Sequence, residues 1–208
     1  NVEVMKGVTT IGGEAFRFNQ ISNLILPDEL ESIEYSAFAD NKLVGLTIPD
    51  SVTSIGESAF ATNRTLKDIF ISDDLADIST NAFRDNLGYV SGQWRYLLWS
   101  GNAEITGCWN PCDSNITIPD IIDGYTVTRV GFRAFAGSQI STVSIPDTVT
   151  RIGGRAFADN QIENISIPGN VTSIGYGAFS NNQLSSVLIP NGLDKINEGT
   201  FSINQLTN

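Results

Sequence analysis

Apolar positions along this chain recur with a period of 22 residues, and that period organises the rest. The anchor is an Ala-Phe pair (Thr-Phe once), with its ring at Phe16, Phe38, Phe60, Phe83, Phe135, Phe157, Phe179 and Phe201. Successive gaps are 22, 22, 23, 52, 22, 22 and 22 residues. With Gln139 as position 1 of a unit, apolar residues fall at positions 2, 5 and 7 (Ile140, Val143, Ile145), 11 (Val149), 14 (Ile152) and 18–19 (Ala156, Phe157). Positions 5 to 7 alternate apolar, polar, apolar, which predicts a half-buried strand. Pro146 at position 8 ends it, because proline has no N–H to give to a ladder. Positions 11 to 14, V-T-x-I, predict a second short strand. A small-residue turn, often Ile-Gly, then leads into one or two expected helical turns centred on Ala-Phe.

Two polar positions repeat with this pattern. Position 9 is usually Asp (Asp28, Asp50, Asp73, Asp120, Asp147), a turn residue whose carboxylate can take backbone N–H groups. Position 22 is Asn at Asn19, Asn41, Asn63, Asn86, Asn160, Asn182 and Asn204, with Ser138 the exception. Asparagine tolerates the left-handed conformation that ends a helix. Its amide can also bond the backbone of the neighbouring coil.

One unit cannot bury its apolar face alone, whereas stacked units can. The prediction is a right-handed solenoid of parallel strands, with a short second strand and a short helix in each 22-residue coil. The unit Arg64–Asn86 carries one extra residue and has Ser72 where proline is expected. The gap of 52 residues places an insertion at Leu87–Asn115. Within it, Gln93–Trp99 alternates and is aromatic-rich, Ser100-Gly101-Asn102 signals a turn, and Ala103–Thr106 follows, which together read as a β-hairpin. The expected organisation is a first array at 1–86, an aromatic and cysteine-bearing insertion at 87–115, and a second array at 116–208. Both arrays are clipped in mid-unit, so the chain reads as part of a longer array. Its bare coil ends make end-to-end self-association a possibility to test.

The unit x-[IL]-x-x-[LV]-x-I-P-x-x-V-T-x-I-G-x-x-A-F-x-x-N resembles the BspA-like (Treponema-type) leucine-rich repeat, over nearly the whole chain. Gly101–Gly107 (GNAEITG) followed by Ile118–Val130 (IPDIIDGYTVTRV) is similar to the segment that often opens an array in that family. The chain departs from it at position 22, where the family usually has Cys. The resemblance implies a leucine-rich-repeat solenoid acting as a non-catalytic binding module of a secreted or cell-surface protein, in adhesion or protein–protein contact. Its partner would be a protein or glycan on host, matrix or neighbouring cells. Two other readings stand beside it: a structural spacer or scaffold, and a glycan-targeting module attached to a hydrolase.

Composition narrows the chemistry further. The 208 residues carry a net charge of −11 and no histidine. An acidic balance argues against nucleic acid, which needs clustered Lys and Arg, and against anionic lipid. No apolar run is long enough to span a bilayer. Without histidine, the Ser–His and Cys–His nucleophile pairs and the commonest zinc ligand are missing. The Gly-x-Ser-x-Gly, phosphate-loop and zinc-protease motifs are absent too, so neither an enzyme nor a cofactor is expected. The Asp column at position 9 could in principle hold calcium, but Gly169 and Asn191 break it, and turn capping is the simpler reading. Cys108 and Cys112, the only cysteines, fit a disulfide in an oxidising, extracellular setting better than free thiols.

Candidate contact residues are Phe70, Trp94, Tyr96, Trp99 and Trp109. All three tryptophans lie in the insertion, with Tyr89 beside them. Aromatics enriched on a surface are what protein and glycan sites use. Alternation puts Trp94, Tyr96 and Leu98 on one side of a strand and Arg95, Leu97 and Trp99 on the other, so at least one side must be core. The exposed strand face runs at position 6 through Ile25, Thr47, Phe70, Thr117, Ser144, Ser166 and Leu188. It is mild and polar, with Phe70 its large apolar residue nearest the insertion.

Overall fold

A computed structural model of the chain describes residues 1–71, 77–79, 81–193 and 195–207. Ser72 and Asp73 fall outside them. The chain divides into two compact units, one of residues 1–89 and 96–101, the other of residues 90–95 and 102–208. Of the expected insertion at 87–115, residues 87–89 and 96–101 belong to the first unit, and residues 90–95 and 102–115 to the second.

In the first unit the repeat builds two parallel ladders. Val2–Glu3 pairs with Leu24–Ile25, and Gly45–Thr47 with Asp68–Phe70. Leu98 and Trp99, at the end of the strand Trp94–Trp99, add to Asp68 and Ile69. The second ladder runs Thr10–Ile11, Ser32–Ile33, Ser54–Ile55, Asp77–Ile78, each one unit on from the last. In-register Ile11, Ile33 and Ile55 are buried, as are Leu24, Leu46 and Ile69. The period-2 pattern therefore faces its apolar side inward, as expected.

The second unit opens on Asn102–Cys108, which pairs in parallel with Tyr125–Val130; Arg151–Ile152 and Ser173–Ile174 continue that ladder. Asn115–Thr117 pairs with Thr142–Ser144 in a separate parallel ladder. Ile121–Ile122 folds back antiparallel on Tyr125–Thr126 through Asp123 and Gly124, at φ 49° and 88°. Positive φ at both loop residues is the mark of the tight hairpin turn that Asp-Gly favours.

No helix occurs among the described residues, so the short helix expected in each coil does not form. The reason lies in left-handed residues, two in each coil except that of Phe83, which has one. Position 17 has positive φ at Glu14, Ser36, Ser58, Arg133, Arg155, Gly177 and Gly199. Position 21 does at Phe18, Asp40, Thr62, Asp85, Gly137, Asp159, Asn181 and Ile203. A right-handed helix cannot pass through either. Backbone amides alternate instead between local and cross-coil acceptors. Ala37 and Ala39 donate to Glu34 and Ser36 three residues back, at 3.3 and 3.1 Å, while Ser36, Phe38 and Asp40 donate to Glu57, Ala59 and Ala61 of the next coil at 2.8 to 3.0 Å. The left-handed residue nearest the asparagine is position 21, one before the asparagine to which that conformation was assigned.

That asparagine has the second of its two expected roles. Asn63 is fully buried; its amide donates to the carbonyls of Phe38 in the previous coil and Phe60 in its own, both at 3.0 Å, and its Oδ1 accepts from Leu43 N–H at 3.2 Å. Asn41, Asn160, Asn182 and Asn204 repeat the pattern. The position-9 turn is closed by backbone alone, from the position-11 amide to the proline carbonyl, at 3.1 Å in Leu30, Val52 and Val149. The carboxylates of Asp28, Asp50, Asp120 and Asp147 take no hydrogen bond from a described residue, so the capping expected of them is not seen.

Phenylalanine at position 19 forms the axis of each unit. Phe16, Phe38, Phe60 and Phe83 stack at 5.0, 5.5 and 5.2 Å between ring centres. Phe135, Phe157, Phe179 and Phe201 stack at 5.3, 5.4 and 5.6 Å. Each stack meets a tryptophan edge-on: Trp99 on Phe83 at 4.9 Å, and Trp94 on Phe135 at 6.1 Å. Edge-to-face contact lets the ring edge meet the negative face of its neighbour. Within the first unit Trp99 ends the ring stack, and within the second Trp94 does.

Candidate binding surfaces

The five aromatic candidates separate by burial. Trp94, Tyr96 and Trp99 are buried at 8%, 3% and 3% exposure, as is Leu97 on the opposite side of the same strand. Both sides of Trp94–Trp99 therefore supply core, where alternation required only one. Phe70 and Trp109 are exposed at 55% and 52%. Coplanar exposed aromatics, the feature a sugar-stacking platform would need from Trp94, Tyr96 and Trp109, are reduced to Trp109 alone.

Phe70 stands on the outer face of the first-strand ladder, because Ile69 and Ile71 on either side of it point inward. Thr47 lies directly beside it in register, and the Phe70 carbonyl accepts the Ile48 amide at 2.8 Å. At the same repeat position Ile25 is 51% exposed in the first unit, and Leu188 is 84% exposed in the second. Position 6 is thus more apolar in each unit than Phe70 alone suggested. Polar groups border it. The Tyr89 hydroxyl donates to the Asp68 carboxylate at 3.0 Å, and the Lys67 ammonium lies 4.9 Å over the Tyr89 ring. Tyr89 stacks on Tyr96 at 5.4 Å, which ties the rim to the core.

Trp109 belongs to the five-residue loop closed by the Cys108–Cys112 disulfide. The Arg95 guanidinium lies 4.9 Å over its ring. Sequence reasoning passed over Arg95, although it is the one cation in residues 87–115. Nearby, Glu104 pairs in register with Arg129. The residue as a whole is half-buried, but its carboxylate packs over Gly131, where a Cβ would stand 2.8 Å from Oε1. Loss of solvation pushes the Glu104 carboxyl above the ordinary carboxylate range, with Arg129 opposing. No group of three or more His, Cys, Asp or Glu among the described residues is placed to hold a metal ion.

Parallel coils of 22 residues around a phenylalanine axis define a leucine-rich-repeat solenoid. The chain belongs to the family of the BspA-type leucine-rich repeat region, whose model matches six copies over residues 1–90 and 109–208. The unmatched stretch is the aromatic strand and the start of the second unit. Among solved structures, a leucine-rich cell surface protein from Faecalibacterium prausnitzii A2-165 is 22% identical, over 98% of this chain and 45% of that one, with a TM-score of 0.40. The pneumococcal vaccine antigen PcpA is 17% identical over 98% of this chain and 65% of its own, at a TM-score of 0.44. A leucine-rich repeat protein from Bacteroides ovatus ATCC 8483 is 19% identical over 97% and 75%, at 0.37. The chain thus spans less than half of the first of these proteins and under two thirds of the second. No curated protein matches it in sequence.

Proposed function

We propose that this chain is a non-catalytic binding module of a secreted or cell-surface protein and contributes to adhesion by holding a protein partner on the strand face of its first unit. The observation that carries this reading is the exposure of Phe70 and Ile25 on a face whose backbone is fixed by parallel ladders. A large apolar side chain held this way loses little freedom on binding, which is the economy of a preorganised surface. Phe70 is the anchor. The Lys67, Asp68 and Tyr89 cluster forms a polar rim, and Thr47 offers a hydroxyl beside Phe70 on the neighbouring strand. An extended repeat surface adds contacts along its length rather than deepening one pocket. Matrix and cell-surface proteins with an apolar patch ringed by basic groups suit an acidic chain of net charge −11.

The chain, immobilised and presented with extracellular-matrix proteins and intact host cells, tests the reading. Phe70→Ala is expected to weaken the bound interaction by about thirtyfold, the loss of an anchor worth roughly 2 kcal/mol. Ile25→Ala should have a smaller effect in the same direction. Absence of any partner above background, or affinity unchanged in both variants, would overturn the assignment and favour a spacer with no ligand of its own.

A further inference from the structure

The second unit carries a cleft of about 580 Å³ beside the disulfide loop, within the size range of small-molecule sites. Its lining includes Asn110 and Cys112 of the loop, Ser138 and Gln139 of a turn, and Arg95 and Thr106. Arg95 is the one charged residue in its lining. Two of the lining residues each carry a polar atom, Arg95 Nε and Thr106 Oγ1, that is buried without a protein hydrogen-bond partner. Buried polar groups are almost always paired, and an orphan costs free energy. Here a guanidinium and a hydroxyl are left over at one place. The indole face of Trp109 steadies the guanidinium from one side, and Arg95 makes no ion pair among the described residues. The donor set is thus held in position yet uncommitted.

We propose that this cleft binds a carboxylate-bearing sugar, an acidic monosaccharide residue at the end of a glycan. The planar guanidinium matches a carboxylate in two parallel hydrogen bonds. Thr106, Asn110, Ser138 and Gln139 are neutral groups that can both donate and accept, which is what ring hydroxyls require. A polyanion is disfavoured, because the chain's net charge of −11 opposes it while a single cation faces it. One carboxylate among neutral hydroxyls balances the site. This pocket differs in kind from a stacking platform: the aromatic ring positions the cation instead of offering its face to the sugar. It is also separate from the Phe70 face and does not depend on it.

The test is titration of the chain with N-acetylneuraminic acid and with galacturonic acid, followed by saturation-transfer NMR. Galactose and the methyl ester of N-acetylneuraminic acid serve as uncharged controls. At least one of the two acids should bind, and the controls should bind about tenfold more weakly or not at all. Arg95→Gln should abolish the signal. Ser138→Trp, which fills the cleft and leaves the cation in place, should do the same, whereas Phe70→Ala should leave it intact. Equal binding of acid and ester, binding unchanged in both cleft variants, or no binding of either acid at millimolar concentration would overturn the proposal. Displacement of the sugar acid by a short poly-glutamate peptide at lower concentration would overturn the sugar assignment in favour of an acidic peptide.

Discussion

Asn63 shows what a single residue does in this fold. A fully buried side chain satisfies three backbone groups from two coils at 3.0 to 3.2 Å. Asn63→Ala leaves those groups without partners in the core, and the expected loss is about 3 kcal/mol, read by chemical denaturation. Asn86 makes the same bonds to Phe60 and Phe83, but its Oδ1 is buried with no partner. Asn86→Ala should therefore cost less than Asn63→Ala, and the order of the two midpoints checks the argument. Glu104 gives a second residue-scale expectation. Burial raises its folded pKa above the value in the unfolded chain. The native state therefore holds that proton more tightly, and the resulting stability is complete below the ordinary carboxylate pKa and lost as pH rises through the folded one. Glu104→Gln should melt above the parent at pH 8, and the gap should close as pH falls below about 4. A gap that widens in acid would reverse the assignment.

At the scale of the coil, close approach of backbones matters most. Gly153 stands where a Cβ would meet the Gly131 carbonyl carbon and Phe132 nitrogen, both at 2.7 Å. Gly56 faces Tyr35 and Glu34 in the same way. The obstacle is main chain, which cannot swing aside, so Gly153→Ala is expected to destabilise the fold by about 1–3 kcal/mol, measured by thermal melting. Gly169, with nothing within reach, should accept alanine with little change. The same crowding accounts for the missing helix. Position 17 is occupied by Ser36, Ser58 and Arg155, and position 21 by Asp40, Thr62 and Ile203; none is the glycine that usually announces positive φ. The bonds from these amides to the next coil impose a backbone that intrinsic preference would not choose. Ala-Phe in isolation reads as helical, and only the stacked neighbour reveals the turn.

For each unit as a whole, the aromatic strand and the disulfide loop decide which of the aromatic candidates stay exposed. Trp94, Tyr96 and Trp99 are spent on the cores; Phe70 and Trp109 remain outside. The Cys108–Cys112 bond closes a loop of five residues, for which the chain-entropy model gives about 2 kcal/mol. Reduction should therefore lower the melting temperature only modestly. It should also relax the loop that lines the cleft and abolish acidic-sugar binding, while Phe70-dependent binding to protein persists. Loss of both activities together would show that the two surfaces are not independent. The cleft itself was not legible in advance. Arg95, Thr106, Asn110 and Gln139 share no spacing, and their convergence depends on how the loop lies against the turn at 137–139.

Sequence by itself determined the repeat and its inward residues, because both follow from a period of 22 residues that eight phenylalanine anchors mark. It also marked the asparagine at position 22 as a bridge between coils. Tertiary structure alone decided the conformation around Ala-Phe, the fate of the aromatic strand and the convergence of the cleft. The physical reason is common to the three. Each depends on main chain or side chains from another coil, which set backbone angles, burial and unpaired donors without leaving a periodic trace in the residues they act on.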